Sequence, residues 1–190
     1  GVMDEVFGHP ELPMAIRYFA AAGREHMERH GTSLDTFAKI RAKASRHAAR
    51  NPLALFRREL SPEDVLASPS IVPGVMTRLM ACPPTCGAAA AIFVSKKFAK
   101  KLGLNSTVHV LGQSLVTDRA DTFSDKSAIS VVGFDMTREA ARQVYEAVGV
   151  GPQDIDVCEL HDCFAQNELL SYEALGFCEV GEAQAFVESE

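Results

Sequence analysis

The segment VCELHDCF, residues 157–164, concentrates side chains that can titrate or bind a metal ion. Five of its eight residues do so: Cys158, Glu159, His161, Asp162 and Cys163. The segment follows an apolar run with the composition of a β-strand and precedes a run with the apolar spacing of an α-helix. Such a cluster is compatible with a metal site, with a catalytic site, or with chance.

A metal site is the weaker interpretation. Cysteine and histidine are ligands that zinc prefers. Side chains alternate between the two faces of a strand, so Cys158 would face away from His161 and Cys163. Two further thiols, Cys82 and Cys86, lie in a separate segment. We therefore predict no metal site and, in particular, no structural zinc.

A catalytic site is the second interpretation. Reactive groups of parallel α/β sheets gather beyond the carboxyl ends of the strands, and His161 and Cys163 hold such a position. We predict that Asp162 caps the following helix and that Cys163 lies in its first turn. There the helix dipole and a neighbouring imidazole favour a thiolate. Cys163 would act as nucleophile or acid and base, and His161 would stabilise an oxyanion or relay a proton. The plainer interpretation, a small buried cysteine and a core histidine, stays open on spacing alone.

Helices are predicted at several places along the chain from their caps and apolar spacing. The first covers residues 12–30 and is stopped by Gly31, and the second covers about 33–50. The others are expected from Ser61, from Ser95 to Gly103, from Thr137 to Gly149, and from Asp162 to Gly176.

Three apolar or β-rich runs are predicted to be strands: residues 88–94, 107–116 and 154–161. They alternate with helices, which indicates an α/β fold with a parallel or mixed sheet. Residues 51–86 are otherwise interpreted as a proline-punctuated loop, and residues 117–134 as irregular.

Composition narrows the class of protein. With 190 residues, 47% of them hydrophobic, the chain is long enough for one large domain or two small ones. Its net charge of -6 argues against nucleic-acid binding, and no apolar run approaches the ~20 residues that cross a bilayer. The odd number of cysteines indicates reduced thiols. The chain opens on glycine and ends without a closing element, so we expect a piece of something longer.

Longer motifs make the interpretation specific. The stretch DVCELHDCFAQNELLSYEALGFC, residues 156–178, resembles the thiolases of the sterol carrier protein x type, also called lipid-transfer-protein thiolases. Further similarity lies in GREHMERHGTSLDTFAKI (23–40), ACPPTCGAAAAIFVS (81–95), LVTDRADTF (115–123) and VVGFDMTREAARQVYEAVGVGPQDIDV (131–157).

The resemblance implies a thiolase fold, in which two similar α/β halves pack as five layers, αβαβα, with a helical loop domain inserted in the first half. Residues 1–86 would then form the loop domain. Residues 87–103 would form the last strand and helix of the first half, and residues 104–190 the first part of the second half.

The resemblance also implies roles for the HDCF motif. His161 would take the oxyanion-hole position, Cys163 would supply the acid/base thiol, and Asp162 and Phe164 would support the loop. The family's nucleophilic cysteine and its GHP histidine would lie before and after this chain, so the chain alone would be inactive. The family usually has aspartate where this chain has Cys86.

Members of this family condense or cleave acyl-CoA esters, which implies coenzyme A as a substrate and no covalently bound cofactor. CoA carries several phosphate charges, and the helix at 33–50 bears the densest cationic cluster of the chain. We predict CoA contacts from Lys39, Lys43, Arg46 and His47. A solvated helix face is the alternative.

Three functions are compatible with these features. The first is an acyl-CoA thiolase of lipid or sterol side-chain metabolism. The second is a thiolase-like retro-aldolase of steroid side-chain CoA esters, and the third is a non-catalytic lipid-binding homologue. The intact HDCF motif favours the thiolase. The resemblance further implies a homodimer with acyl-CoA and CoA as partners, without nucleic acid or membrane span. We expect a cytoplasmic location in a bacterium and a peroxisomal one in a eukaryote.

Overall fold

The computed structural model describes residues 7–105 and 108–189. Its helices are α1 (Met14–His30), α2 (Leu34–Ala49), α3 (Pro62–Leu66), α4 (Lys96–Lys101), α5 (Ala128–Val131), α6 (Phe134–Val148), α7 (Ala165–Ala174) and α8 (Ala183–Glu188). Strands β1 (Ser70–Val72) and β2 (Met76–Thr77) form an antiparallel hairpin. Single 3-10 turns cover Arg78–Met80 and Pro152–Asp154. None of the described helices is long and apolar enough to cross a bilayer.

Capping residues set the bounds of several helices as predicted. Helix α1 ends at Gly31, whose φ of 74° places it in the left-handed region. The Ser33 side chain accepts a hydrogen bond from the Thr36 N–H at the start of α2. Ser61 and Asp64 form a reciprocal capping box on α3. Ser95 caps α4 in the same way as Ser33 caps α2.

The region around α6 differs from the prediction. Helix α6 begins at Phe134 rather than at Thr137, because Gly133 takes a left-handed φ of 98° and ends the preceding turn. The Thr137 hydroxyl instead donates to the Gly133 carbonyl inside the helix. Residues 128–131, interpreted as irregular, form the short helix α5, and the β-hairpin lies inside the predicted loop.

The three predicted strands are not paired. Residues 88–94, 108–116 and 154–161 contain no strand in the described parts of the chain, and position 107 lies outside the described residues. Side chains there are open to solvent: Ile92 is 92% exposed and Val108 is 89% exposed. A strand is stable only when neighbouring strands satisfy its backbone groups, and the described residues supply no neighbour. Predicting sheets at these segments was wrong for this structure.

Helix α7 lies in the centre of the packed region. Its side chains are buried around most of its circumference, and α1, α2, α6 and α8 contact it. A helix buried in this way needs no amphipathic pattern. Its leucines join Phe37 of α2, Met76 of β2 and Met80 of the following 3-10 turn in one hydrophobic core.

The first turn of α7 packs against a glycine of α1. Gln166 is fully buried, and its amide nitrogen donates to the Val75 carbonyl at 2.9 Å. A Cβ atom at Gly23 would lie 2.5 Å from Cγ of Gln166. Gly23 therefore permits the close approach of α1 and α7, although glycine inside a helix costs about 1 kcal/mol relative to alanine.

We predict that Gly23→Ala destabilises the protein by about 1–3 kcal/mol, because the added methyl group overpacks a filled core and this outweighs the gain in helix propensity. Chemical denaturation of both proteins measures the change. Gly87→Ala is the control, since no atom lies within 4 Å of its added Cβ, and it should alter stability by less than about 0.5 kcal/mol. Equal stability of the two variants would contradict the packing argument.

Candidate active site

Two contacts anchor the HDCF segment to the rest of the chain. Phe164 is buried and stacks on Phe19 with ring centroids 5.0 Å apart. Phe164 also pairs with Ala81 in an isolated antiparallel bridge, and beside it the Cys82 N–H donates to the Cys163 carbonyl at 2.9 Å. The segment is thus attached to the chain that follows the hairpin.

The start of α7 lies later than predicted. Phe164 is its extended N-cap residue, and no side chain caps the helix. Asp162 therefore does not cap α7, and Cys163 precedes the helix instead of occupying its first turn. The physical reason is the bridge to Ala81, which holds Phe164 in an extended conformation.

The protonation of Cys163 follows from its surroundings. Burial raises the pKa of this thiol to about 11, and the neighbouring Cys82 and Asp162 act in the same direction. The expected thiolate is therefore wrong for this structure. A thiol that stays protonated near neutral pH is suited to donating a proton.

His161 differs from Cys163 in its surroundings. Its side chain is exposed, whereas Cys163 is half-buried. The His161 carbonyl accepts a hydrogen bond from the side-chain amide of Asn167, in the first turn of α7. This bond fixes the backbone of the motif, while the joint projection of the two side chains into one site stays a prediction.

A groove of about 990 Å³ runs between α2, residues 152–162 and α7. Its lining includes Lys43, His47, Cys158, Asp162, Glu168 and Tyr172. The size matches sites for small-molecule ligands. The HDCF segment thus borders a concave surface through Asp162.

The predicted CoA ligands fall into two groups. Lys43 lies 3.0 Å from the Glu168 carboxylate and also contacts the Tyr172 hydroxyl. Lys39 pairs with Asp35 at 2.8 Å, and this hydrogen bond raises the pKa of the lysine. The charges of these two lysines are therefore largely balanced by neighbouring carboxylates.

The second group comprises Arg46 and His47. Both are exposed on the outer part of α2, and His47 lines the groove. Arg46 makes no hydrogen bond or ion pair with the residues that the structure describes. These two side chains are the ones of the predicted set that are available to a ligand.

Sequence reasoning missed three residues around the motif: Cys82, Asn167 and Glu168. Glu168 and Tyr172 are four apart on a predicted helix, which is the spacing of a side-chain pair. No sequence pattern indicated Cys82, because it lies near Cys163 only through pairing between segments that are distant in sequence. Within residues 7–105 and 108–189, no three His, Cys, Asp or Glu side chains are arranged to hold a metal ion.

Comparisons with known proteins relate the chain to thiolases. Residues 119–190 match the family model "Thiolase C-terminal domain-like". Sterol carrier protein 2 of Oryctolagus cuniculus is 48% identical over 188 residues, which cover 98% of this chain and 34% of that protein. Benzoylsuccinyl-CoA thiolase subunit BbsB of Thauera aromatica is 36% identical over 169 residues, covering 89% and 43%.

A solved structure supports the same fold. The Ltp2-ChsH2(DUF35) aldolase superposes with a TM-score of 0.75 at 24% identity, covering 94% of this chain and 47% of that one. The chain has an α/β, thiolase-type fold. It is related to thiolases of the sterol carrier protein x or lipid-transfer type, and it spans about a third of the length of the mammalian relative. The boundaries at 86 and 103 and the site roles stay predictions.

We predict that alkylation of Cys163 by iodoacetamide accelerates by about tenfold per pH unit up to about pH 10, because only the thiolate reacts and its pKa is about 11. Mass spectrometry of the labelled peptide measures the rate. In denaturing urea the thiol has its ordinary pKa of about 9, so the rate should level off above that pH. A plateau near pH 9 in the folded protein would contradict the effect of burial.

Proposed function

We propose that the full-length protein is an acyl-CoA thiolase, which transfers an acyl group between a 3-oxoacyl-CoA and CoA in lipid or sterol side-chain metabolism. The observation that carries the proposal is the anchored HDCF segment. It holds a half-buried thiol, whose pKa burial raises, next to Asp162, which lines a groove of suitable size. The relationship to thiolases supports the same reaction.

The residues fit the chemistry of cleavage. A thiolate supplied outside this chain attacks the 3-oxo carbon, and the bond between C2 and C3 then breaks. The released electron pair forms the enolate of acetyl- or propionyl-CoA. A hydrogen bond from His161 stabilises the enolate oxygen, and Cys163 transfers its proton to C2. The CoA thiol then gives its proton to the Cys163 thiolate, and the CoA sulfur takes the acyl group, which releases the nucleophile as a thiolate.

The charges of the groove suggest how CoA lies. The groove is lined by Lys43 and His47 but also by the acidic side chains Asp156, Glu159, Asp162 and Glu168. Phosphate groups would be repelled there, whereas an uncharged pantetheine arm and acyl chain would not. We therefore place the phosphates at the outer part of α2, near Arg46 and His47.

The proposal extends to the substrates, the oligomeric state and the location of the full-length protein. The protein uses CoA and acyl-CoA, forms a homodimer, and resides in the bacterial cytoplasm or the eukaryotic peroxisome. A retro-aldolase is the second candidate, but the likeness to the solved aldolase supports the fold alone at 24% identity. A lipid-binding protein without catalysis is the third. Turnover of 3-oxoacyl-CoA with CoA distinguishes thiolase activity from both alternatives.

We predict that His161→Ala lowers turnover by about a hundredfold or more, the usual cost of losing one oxyanion donor. Cys163→Ser should slow proton transfer while preserving the fold, because the side chains are nearly isosteric. Steady-state kinetics of the full-length enzyme measure both effects. Cys178→Ser, another half-buried thiol, is the control and should keep activity. Wild-type turnover by both HDCF variants would refute the proposal.

We predict that Arg46→Glu raises KM for CoA severalfold, because it replaces an exposed cation with an anion near the phosphates. The turnover number should change little. Lys97→Glu reverses the charge of an exposed cation on α4 and is the control, which should leave KM unchanged. Reversing Lys43 would be less informative, since that change also breaks its pair with Glu168. An unchanged KM for CoA in Arg46→Glu would contradict the proposal that the CoA phosphates bind near Arg46 of α2.

A further inference from the structure

Two cysteines lie on opposite chain segments beside the bridge that anchors the HDCF segment. Ala81 pairs with Phe164, and the next hydrogen bond joins the Cys82 N–H to the Cys163 carbonyl. Cys82 and Cys163 are therefore directly opposite each other on antiparallel chains. Residues in such hydrogen-bonded pairs have Cα atoms about 5.5 Å apart, which is within the range of disulfides.

The two thiols differ in their exposure to solvent. Phe164 packs into the core, and Ala81 and Cys163 pack against it. Cys82 is exposed and Cys163 is half-buried, and both are free thiols. Because side chains alternate along extended backbone, residues directly opposite each other, such as Cys82 and Cys163, project to the same face of the pair. Cys86 is also exposed, but it lies beyond the bridge.

We propose that Cys82 and Cys163 form a reversible disulfide on reaction with a small-molecule disulfide. This bond makes the Cys163 thiol unavailable for catalysis. The disulfide itself does not depend on the proposed thiolase activity. Its inhibitory effect does, because inhibition requires that Cys163 take part in turnover.

The exchange has two balanced steps. The exposed Cys82 loses its proton and attacks one sulfur of the small disulfide, which forms a mixed disulfide and releases one small thiol. Cys163 then loses its proton and attacks the Cys82 sulfur, which closes the protein disulfide and releases the second small thiol. Each departing thiolate takes up one proton. A small dithiol reverses both steps.

Peptide mapping of the full-length protein tests the proposal. The reduced protein is incubated with oxidised glutathione, its remaining thiols are alkylated, and it is digested with chymotrypsin without reduction. Cleavage after Leu160 and Phe164 separates Cys163 from Cys158. We expect the peptide HDCF linked to the peptide that contains Cys82. Dithiothreitol should remove the link, and thiolase activity should fall and recover with it.

Single serine variants distinguish Cys82 from Cys86 as the disulfide partner of Cys163. Cys86→Ser should keep the linked peptide, whereas Cys82→Ser should lose it. Cys163→Ser should also lack the linked peptide. Because either substitution alone removes the link, the test still works if one of the two variants folds poorly. Mixed disulfides with glutathione alone, or a link from Cys163 to another cysteine, would overturn the proposal. A correct link without loss of turnover would instead refute the role of Cys163 in catalysis.

Discussion

The buried hydrogen bond between His26 and Glu173 fixes the arrangement on which the candidate site depends. The two side chains approach to 3.0 Å, and the other ring nitrogen of His26 lies 2.7 Å from the Thr32 hydroxyl. The Glu173 carboxylate also accepts the backbone N–H groups of Gly181 and Ala183. One carboxylate therefore joins α1, α7 and the start of α8. Leaving a buried polar group without its partner costs about 1–3 kcal/mol, so these elements hold one another in place.

The remaining contacts of α7 extend this constraint to its amino end. Gln166 packs against Gly23, and Phe164 stacks on Phe19. Helix α1 thereby holds both ends of α7. On another side, Glu168 binds Lys43 of α2. A helix that carries carboxylates into the core needs such partners, and here α1 and α2 supply them. The position of the HDCF segment thus follows from contacts made by residues far away in sequence.

Local sequence signals predicted the helices well, because caps and glycine stops act over a few residues. Ser33, Ser61 and Ser95 each begin a helix as expected. The strand predictions were wrong because strand formation is not local. A strand needs a neighbouring strand to pair with, and the described residues provide none for these segments. The HDCF residues were found from their motif, but the partner of Lys43 and the position of Cys82 depend on contacts between remote segments. Periodicity and spacing carry no information about such contacts.

The bridge between Ala81 and Phe164 accounts for both departures from expectation at Cys163. By holding Phe164 extended, it delays the start of α7, so the thiol loses the first-turn position that would favour a thiolate. Burial is then the dominant influence, and it raises the pKa of the thiol. The same backbone pairing places Cys82 opposite Cys163. The raised pKa of Cys163 and its position opposite Cys82 therefore share one structural cause, which is the pairing of Ala81 with Phe164.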